Sequence, residues 1–100
     1  MAIDLEKLQV EVAEFDSQFW DHEPGFETIR HAALHLTKLA GKLATYCEAV
    51  EHGESPSLAV LEDEVNPDLV MFAARLSNNS NDSLEESYRT RKAALEQRFS

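Results

Sequence analysis

Apolar residues recur every three or four positions along most of the chain, the spacing that places them on one face of a helix. Leu5, Leu8, Val12, Phe15 and Phe19 mark the first stripe, and Pro24-Gly25 stops it. Ile29, Ala32, Ala33, Leu36, Leu39, Ala40, Leu43, Cys47 and Val50 make a broader stripe over residues 27–50, a helix of roughly 36 Å. His52-Gly53 ends it. A third run starts at Ser55-Pro56, a cap followed by a proline in the first turn. Leu58, Leu61, Val65, Leu69, Phe72 and Leu76 keep helical phase to Ser77. Pro67 stands inside this run. A proline there removes a backbone hydrogen bond and crowds the preceding turn, at a cost of ~3 kcal/mol. The stripe nevertheless holds phase on both sides, which predicts one third helix kinked at Pro67. After the polar residues 78–82, Ser83 and Glu86 read as a capping box. Leu84, Tyr88, Arg91, Leu95 and Phe99 then share a face of the last helix, whose bases gather toward its end and complement the helix dipole. No segment alternates with period two. The pattern predicts an all-α, four-helix bundle-like fold in a single domain over residues 1–100, with short connections that favour antiparallel neighbours.

Composition narrows the class. Apolar types at 43% are too many for a disordered chain, and three Gly with three Pro are too few for a many-turned β fold. The formal net charge of −10, with only nine Lys and Arg, excludes nucleic acid as a primary partner. The charge is uneven. Residues 1–24 carry seven acids and one lysine, and residues 51–68 carry six acids and no base. This reads either as a solvated acidic surface or as a metal or phosphate site around residues 62–68. The longest apolar run, residues 69–74, is far short of the ~20 residues of a membrane span, so no membrane partner is expected. The start Met-Ala-Ile-Asp has no basic region followed by an apolar block, so no signal peptide is expected. Cys47 is the single cysteine, which excludes an intramolecular disulfide and fits a cytoplasmic protein.

Several side chains could carry chemistry. His31 and His35 have the i, i+4 spacing of a zinc pair, but no Glu follows His31 and no third ligand is evident, which favours a structural role. Glu48 and Glu51 form a Glu-x-x-Glu that could make a shifted metal site with Glu62, Asp63 or Glu64. Phe19, Trp20 and His22 could stack on a base, although large aromatics serve core and dimer packing equally well. Cys47 lies on an apolar stripe and reads as a buried small residue. There is no Ser/His/Asp set, Gly-rich phosphate loop or dinucleotide fingerprint.

His35 to Ala44 (HLTKLAGKLA), Glu62 to Val70 (EDEVNPDLV), Arg75-Leu76-Ser77-Asn78, Leu84-Glu85-Glu86 and Arg98-Phe99 together resemble the MazG-like all-α nucleoside triphosphate pyrophosphohydrolases, in order and spacing over residues 29–99. The resemblance implies a MazG fold, usually a tight homodimer, that cleaves nucleoside triphosphates to monophosphate and pyrophosphate. It also implies a magnesium site made by a Glu-x-x-Glu on one helix and a Glu-x-x-Asp on the next. Helical spacing puts two carboxylates on one face, and two such helices can share a cation with a triphosphate. This chain departs from that set. The family's second-helix acids fall at Leu39 and Lys42, with a further one at Lys38, and its next Glu falls at Val65. Asp68 remains, and Glu64 lies one residue off register. The common Asn of the last helix falls at Leu95. A lysine in place of a carboxylate repels Mg²⁺, so no cofactor is expected.

Lys38 and Lys42 lie four apart, as do Glu64 and Asp68, and with the helices packed as the resemblance implies, Lys–carboxylate pairs are expected where the metal would stand. The resemblance further points to Trp20, His22 and Arg91 as nucleotide-binding candidates. Broad apolar stripes on so short a chain predict a homodimer or a dimer of dimers. The first expectation for function is a catalytically degenerate, dimeric nucleotide-binding or interaction module. A second is an active Mg²⁺-dependent pyrophosphohydrolase with an acid set rearranged around Asp68, Glu64 and Glu62. A third is a purely structural helical adaptor.

Overall fold

The computed structural model describes residues 3–20 and 23–100. They form four α-helices, and no strand occurs among the described residues. Helix α1 (Leu5–Phe19) starts at Asp4, whose carboxylate accepts the Lys7 amide at 2.8 Å. Helix α2 (Phe26–Glu51) ends where Gly53, at φ +84°, lets the chain fold back. There the Gly53 amide donates to the Val50 carbonyl and the Glu54 amide to that of Ala49, both at 3.0 Å. Only glycine takes this left-handed cap without strain.

The third run begins later than Ser55-Pro56. Residues 54–57 are non-helical, and it is the Ser57 hydroxyl that accepts the Ala59 amide at 3.0 Å. One wide π-turn, Leu61–Val65, then closes with the Asn66 amide on the Leu61 carbonyl, and helix α3 (Asn66–Asn79) follows without a break. Pro67 therefore sits in the first turn of α3, where its missing N–H matters least. The wider turn before it makes room for a ring that would crowd an ordinary one. Helix α4 (Leu84–Phe99) opens at Ser83, whose hydroxyl accepts the Glu86 amide at 3.2 Å.

Helix α3 is the hub. The helical spans of α1 and α2 each pack on it and not on each other, and α4 touches α1 and α3 alone. The core is small: Val12, Ala32, Leu39, Val65, Phe72 and Ala74. Polar ties complete the joints. The Gln9 amide donates to the Asn78 side chain and to the Asp82 carbonyl, and its oxygen accepts the first α4 amide, of Leu84, at 2.7 Å. The Asn79 side chain pairs with both backbone groups of Gly25. Gly25 holds φ +138°, a conformation open to glycine and strained for other residues.

Much of the apolar surface is left uncovered. Phe15 and Phe19 of α1 point outward, and the buried side of α1 is Leu5, Leu8, Val12 and Asp16. Cys47 is exposed rather than buried. No side chain of α4 is buried. The accessible surface is 7631 Å², against about 5,700 Å² for a compact chain of this mass. The radius of gyration is 16.1 Å, against about 13 Å for a compact domain of this length. Among the described residues no helix is long and apolar enough to cross a membrane.

Candidate functional site

The helical spacing of α2 sends Lys38 and Lys42 to the side on which residues 56–64 lie. Lys42 Nζ donates to Glu64 Oε1 at 2.9 Å, with both side chains partly in water. Lys38 is exposed and makes no ion pair among the described residues. Both lysines line a cleft of about 660 Å³, with Tyr46, Ser57, Val60 and Leu61 among the other walls. That is the size of a small-molecule site, apolar with a few polar groups. The charged side chains that line the cleft are two ammonium groups and one carboxylate.

The remaining positions of the acid set do not join it. Leu39 and Val65 are core residues, 4% and 0% exposed. Asp68 is half-buried and Glu62 exposed. Among the described residues no three His, Cys, Asp or Glu side chains converge where they could hold a metal ion, and this includes the sets built on Glu48 and Glu51 or on Asp68, Glu64 and Glu62. The residues present do not fit a magnesium ion. Two positions are apolar and buried, two are cationic, and Glu64 already serves Lys42. The exposed pair itself contributes little, because water screens it and ordering two long side chains costs entropy. Lys42→Glu should lower stability by about 1 kcal/mol or less, read from urea melts; a loss of several would mean that the pair is dry.

A second cluster joins α1, α2 and α3. Arg75, 5% exposed, donates from Nε and Nη2 to the two carboxylate oxygens of Asp16, at 2.8 and 2.7 Å. Its guanidinium lies 4.4 Å from the centre of the Trp20 ring and 4.9 Å from that of Phe72. His31 meets Trp20 edge-on and His35 stacks on Phe72, so both histidines belong to an aromatic wall. A hollow of about 250 Å³ beside the pair is lined by Trp20, Ser17, Thr28 and Asn79 among others. It is small for a ligand, and the charges at its base cancel.

Trp20 therefore packs on a guanidinium. Arg91 lines separate hollows on the exposed α4, and the structure does not bring it to Trp20. His22 lies outside the described residues. The Asp16–Arg75 pair had a faint sequence signal: Val12, Asp16 and Trp20 are four apart, and Arg75 stands between Ala74 and Leu76. Comparison with known proteins returns no matching family model, no matching curated protein and no matching solved structure.

Proposed function

We propose that this chain is a self-associating, catalytically degenerate MazG-like module of the cytoplasm that binds a nucleotide in the Lys38–Lys42 cleft without a divalent cation. The observation that carries the reading is the Lys42–Glu64 ion pair at 2.9 Å, with Leu39 and Val65 in the core where the family's acids fall. A lysine replaces a metal's charge beside a phosphate but supplies neither a metal-bound water nor a second cation for the leaving group. Binding without hydrolysis follows. The cleft adds a Tyr46 ring and aliphatic walls against which a base could lie. In this reading the third helical run bends at the π-turn before Pro67, which sets residues 56–64 against α2. The excess accessible surface supports self-association, and a lone exposed thiol suits a reducing compartment.

The test is thermal unfolding with a panel of nucleotides, each with and without Mg²⁺, together with an assay for released pyrophosphate. A binding nucleotide at a hundred times its Kd stabilises the fold by about 2.7 kcal/mol. The expected result is a rise in Tm that is the same with and without Mg²⁺, with no pyrophosphate. Mg²⁺-dependent pyrophosphate release would replace this reading with the active enzyme built on Asp68, Glu64 and Glu62. No shift with any nucleotide would leave the structural adaptor.

A further inference from the structure

Helix α2 carries two apolar faces, and the chain uses one of them. Ala32, Leu39 and Tyr46 lie on the side that faces α3 and the π-turn. The adjoining side holds Phe26, Ile29, Ala33, Leu36, Ala40, Leu43, Cys47 and Val50, which alternate by three and four through four heptads. Leu36 is half-buried and the other seven are exposed. A helix that serves only its own core needs one stripe. A strict repeat of 3.5 residues is the seam of a two-helix coiled coil, where each side chain fits between residues of a facing helix.

We propose that a second copy of this chain covers that seam, with the two α2 helices antiparallel about a twofold axis at the level of Lys38. The proposal rests on the self-association stated above and specifies its face. The seam is complementary to itself in this direction alone. Turned end for end about Lys38, it sets Phe26 against Val50, Ile29 against Cys47, Ala33 against Leu43 and Leu36 against Ala40. Every layer then joins a larger side chain to a smaller one, as a close-packed interface requires. Because the contact is isologous, each layer occurs twice and all eight residues are covered. Sliding the helices by one heptad leaves one end of each seam bare. A parallel pairing stacks alanine on alanine at positions 33 and 40 and leaves voids.

Charge agrees. Arg30 and Glu51 flank the seam on one side, near opposite ends of α2. Helical side chains lean toward their own N-terminus, so in the antiparallel pair these two lean toward each other across the interface. Parallel helices would instead set the acidic ends, Glu48 and Glu51, side by side. At 26 residues and 1.5 Å each, α2 is about 39 Å long, enough for a continuous contact.

The experiment is light scattering on the full chain, followed by thiol oxidation with copper phenanthroline. Ile29→Cys places a thiol opposite the partner's Cys47, and within one chain those positions are too far apart along α2 to join. A dimer by light scattering, with Ile29→Cys giving a covalent dimer and the parent giving none, is the expected result. Adding Cys47→Ser to Ile29→Cys should abolish the covalent species. Ala40→Glu, at an exposed site that leaves the chain folded by circular dichroism, should be monomeric where the parent is dimeric. A monomeric parent would overturn both self-association and this pairing. A dimer whose parent chain crosslinks through Cys47 alone would make the seam parallel. A dimer that forms no crosslink in either variant, and survives Ala40→Glu, would keep self-association and move it to another face.

Discussion

Replacing Asp16 with asparagine should cost about 3–5 kcal/mol, because it removes the one carboxylate that, among the described residues, pairs with a buried guanidinium. The side chains of Arg75 and Asp16 are 6% and 19% exposed, so little water reaches the pair. An amide offers one acceptor where the carboxylate offered two, and no charge. The faces of Trp20 and Phe72 attract the cation, by about 2 kcal/mol or more where it is desolvated, but they do not replace the two charge-assisted hydrogen bonds. A small domain has only about 5–15 kcal/mol of stability in all, so the variant should melt near the edge of folding. Adding Arg75→Met removes the stranded charge and should recover much of the loss, since what destabilises is the unpaired charge more than the missing bridge. Urea melts of the two variants decide it. A loss below 1 kcal/mol for Asp16→Asn would mean that the guanidinium finds water when its partner goes.

Val65→Glu should be comparably severe, with a loss of about 4 kcal/mol or outright unfolding at 25 °C. Val65 is 0% exposed at the end of the π-turn. A glutamate there is longer than the space, and its charge would have to be desolvated or neutralised. The Lys42 ammonium is already paired with the neighbouring Glu64 in the outer cleft. In the MazG-like reading proposed above, this substitution also places an acid where the family has one. A Tm that stays low when Mg²⁺ is added is the expected outcome, read by thermal unfolding in parallel with the parent. Mg²⁺ restoring the parental Tm would mean that the acid set is latent in this fold, and the proposed loss of the metal would be wrong.

The helices were legible because their signals are local. Stripe spacing, the Ser83 cap and the His52-Gly53 stop all act within a few residues. What the stripes do was not legible. Periodicity marks an apolar face without saying what covers it, so Cys47 reads as interior and is on the surface, as are Phe15 and Phe19 of the first stripe. In α3 the π-turn and the hub position rotate the buried side. Leu69 of the apparent stripe is exposed, while Arg75 beside the stripe is buried. A buried charge is invisible to hydropathy, and its reason, Asp16, lies far off in sequence. The Lys42–Glu64 contact was expected from the packing that the resemblance implies, since spacing within α2 or within the third run does not say that the two face each other. That Leu39 and Val65 are core agrees with their places on the apolar stripes of the second and third runs.

The ties that dock α1 have a consequence for how the chain is made. Asp16 reaches Arg75 across 59 residues, and Gln9 reaches Asn78 across 69 and Leu84 across 75. During synthesis at about 5–20 residues per second, the first helix waits several seconds for its partners to leave the ribosome. Over that interval the side with Leu5, Leu8 and Val12 has no surface to cover it. Of the four helices, the one that emerges earliest is among the last to dock. The shortest nascent chain that can complete its joints is one already threaded as far as the first turn of α4.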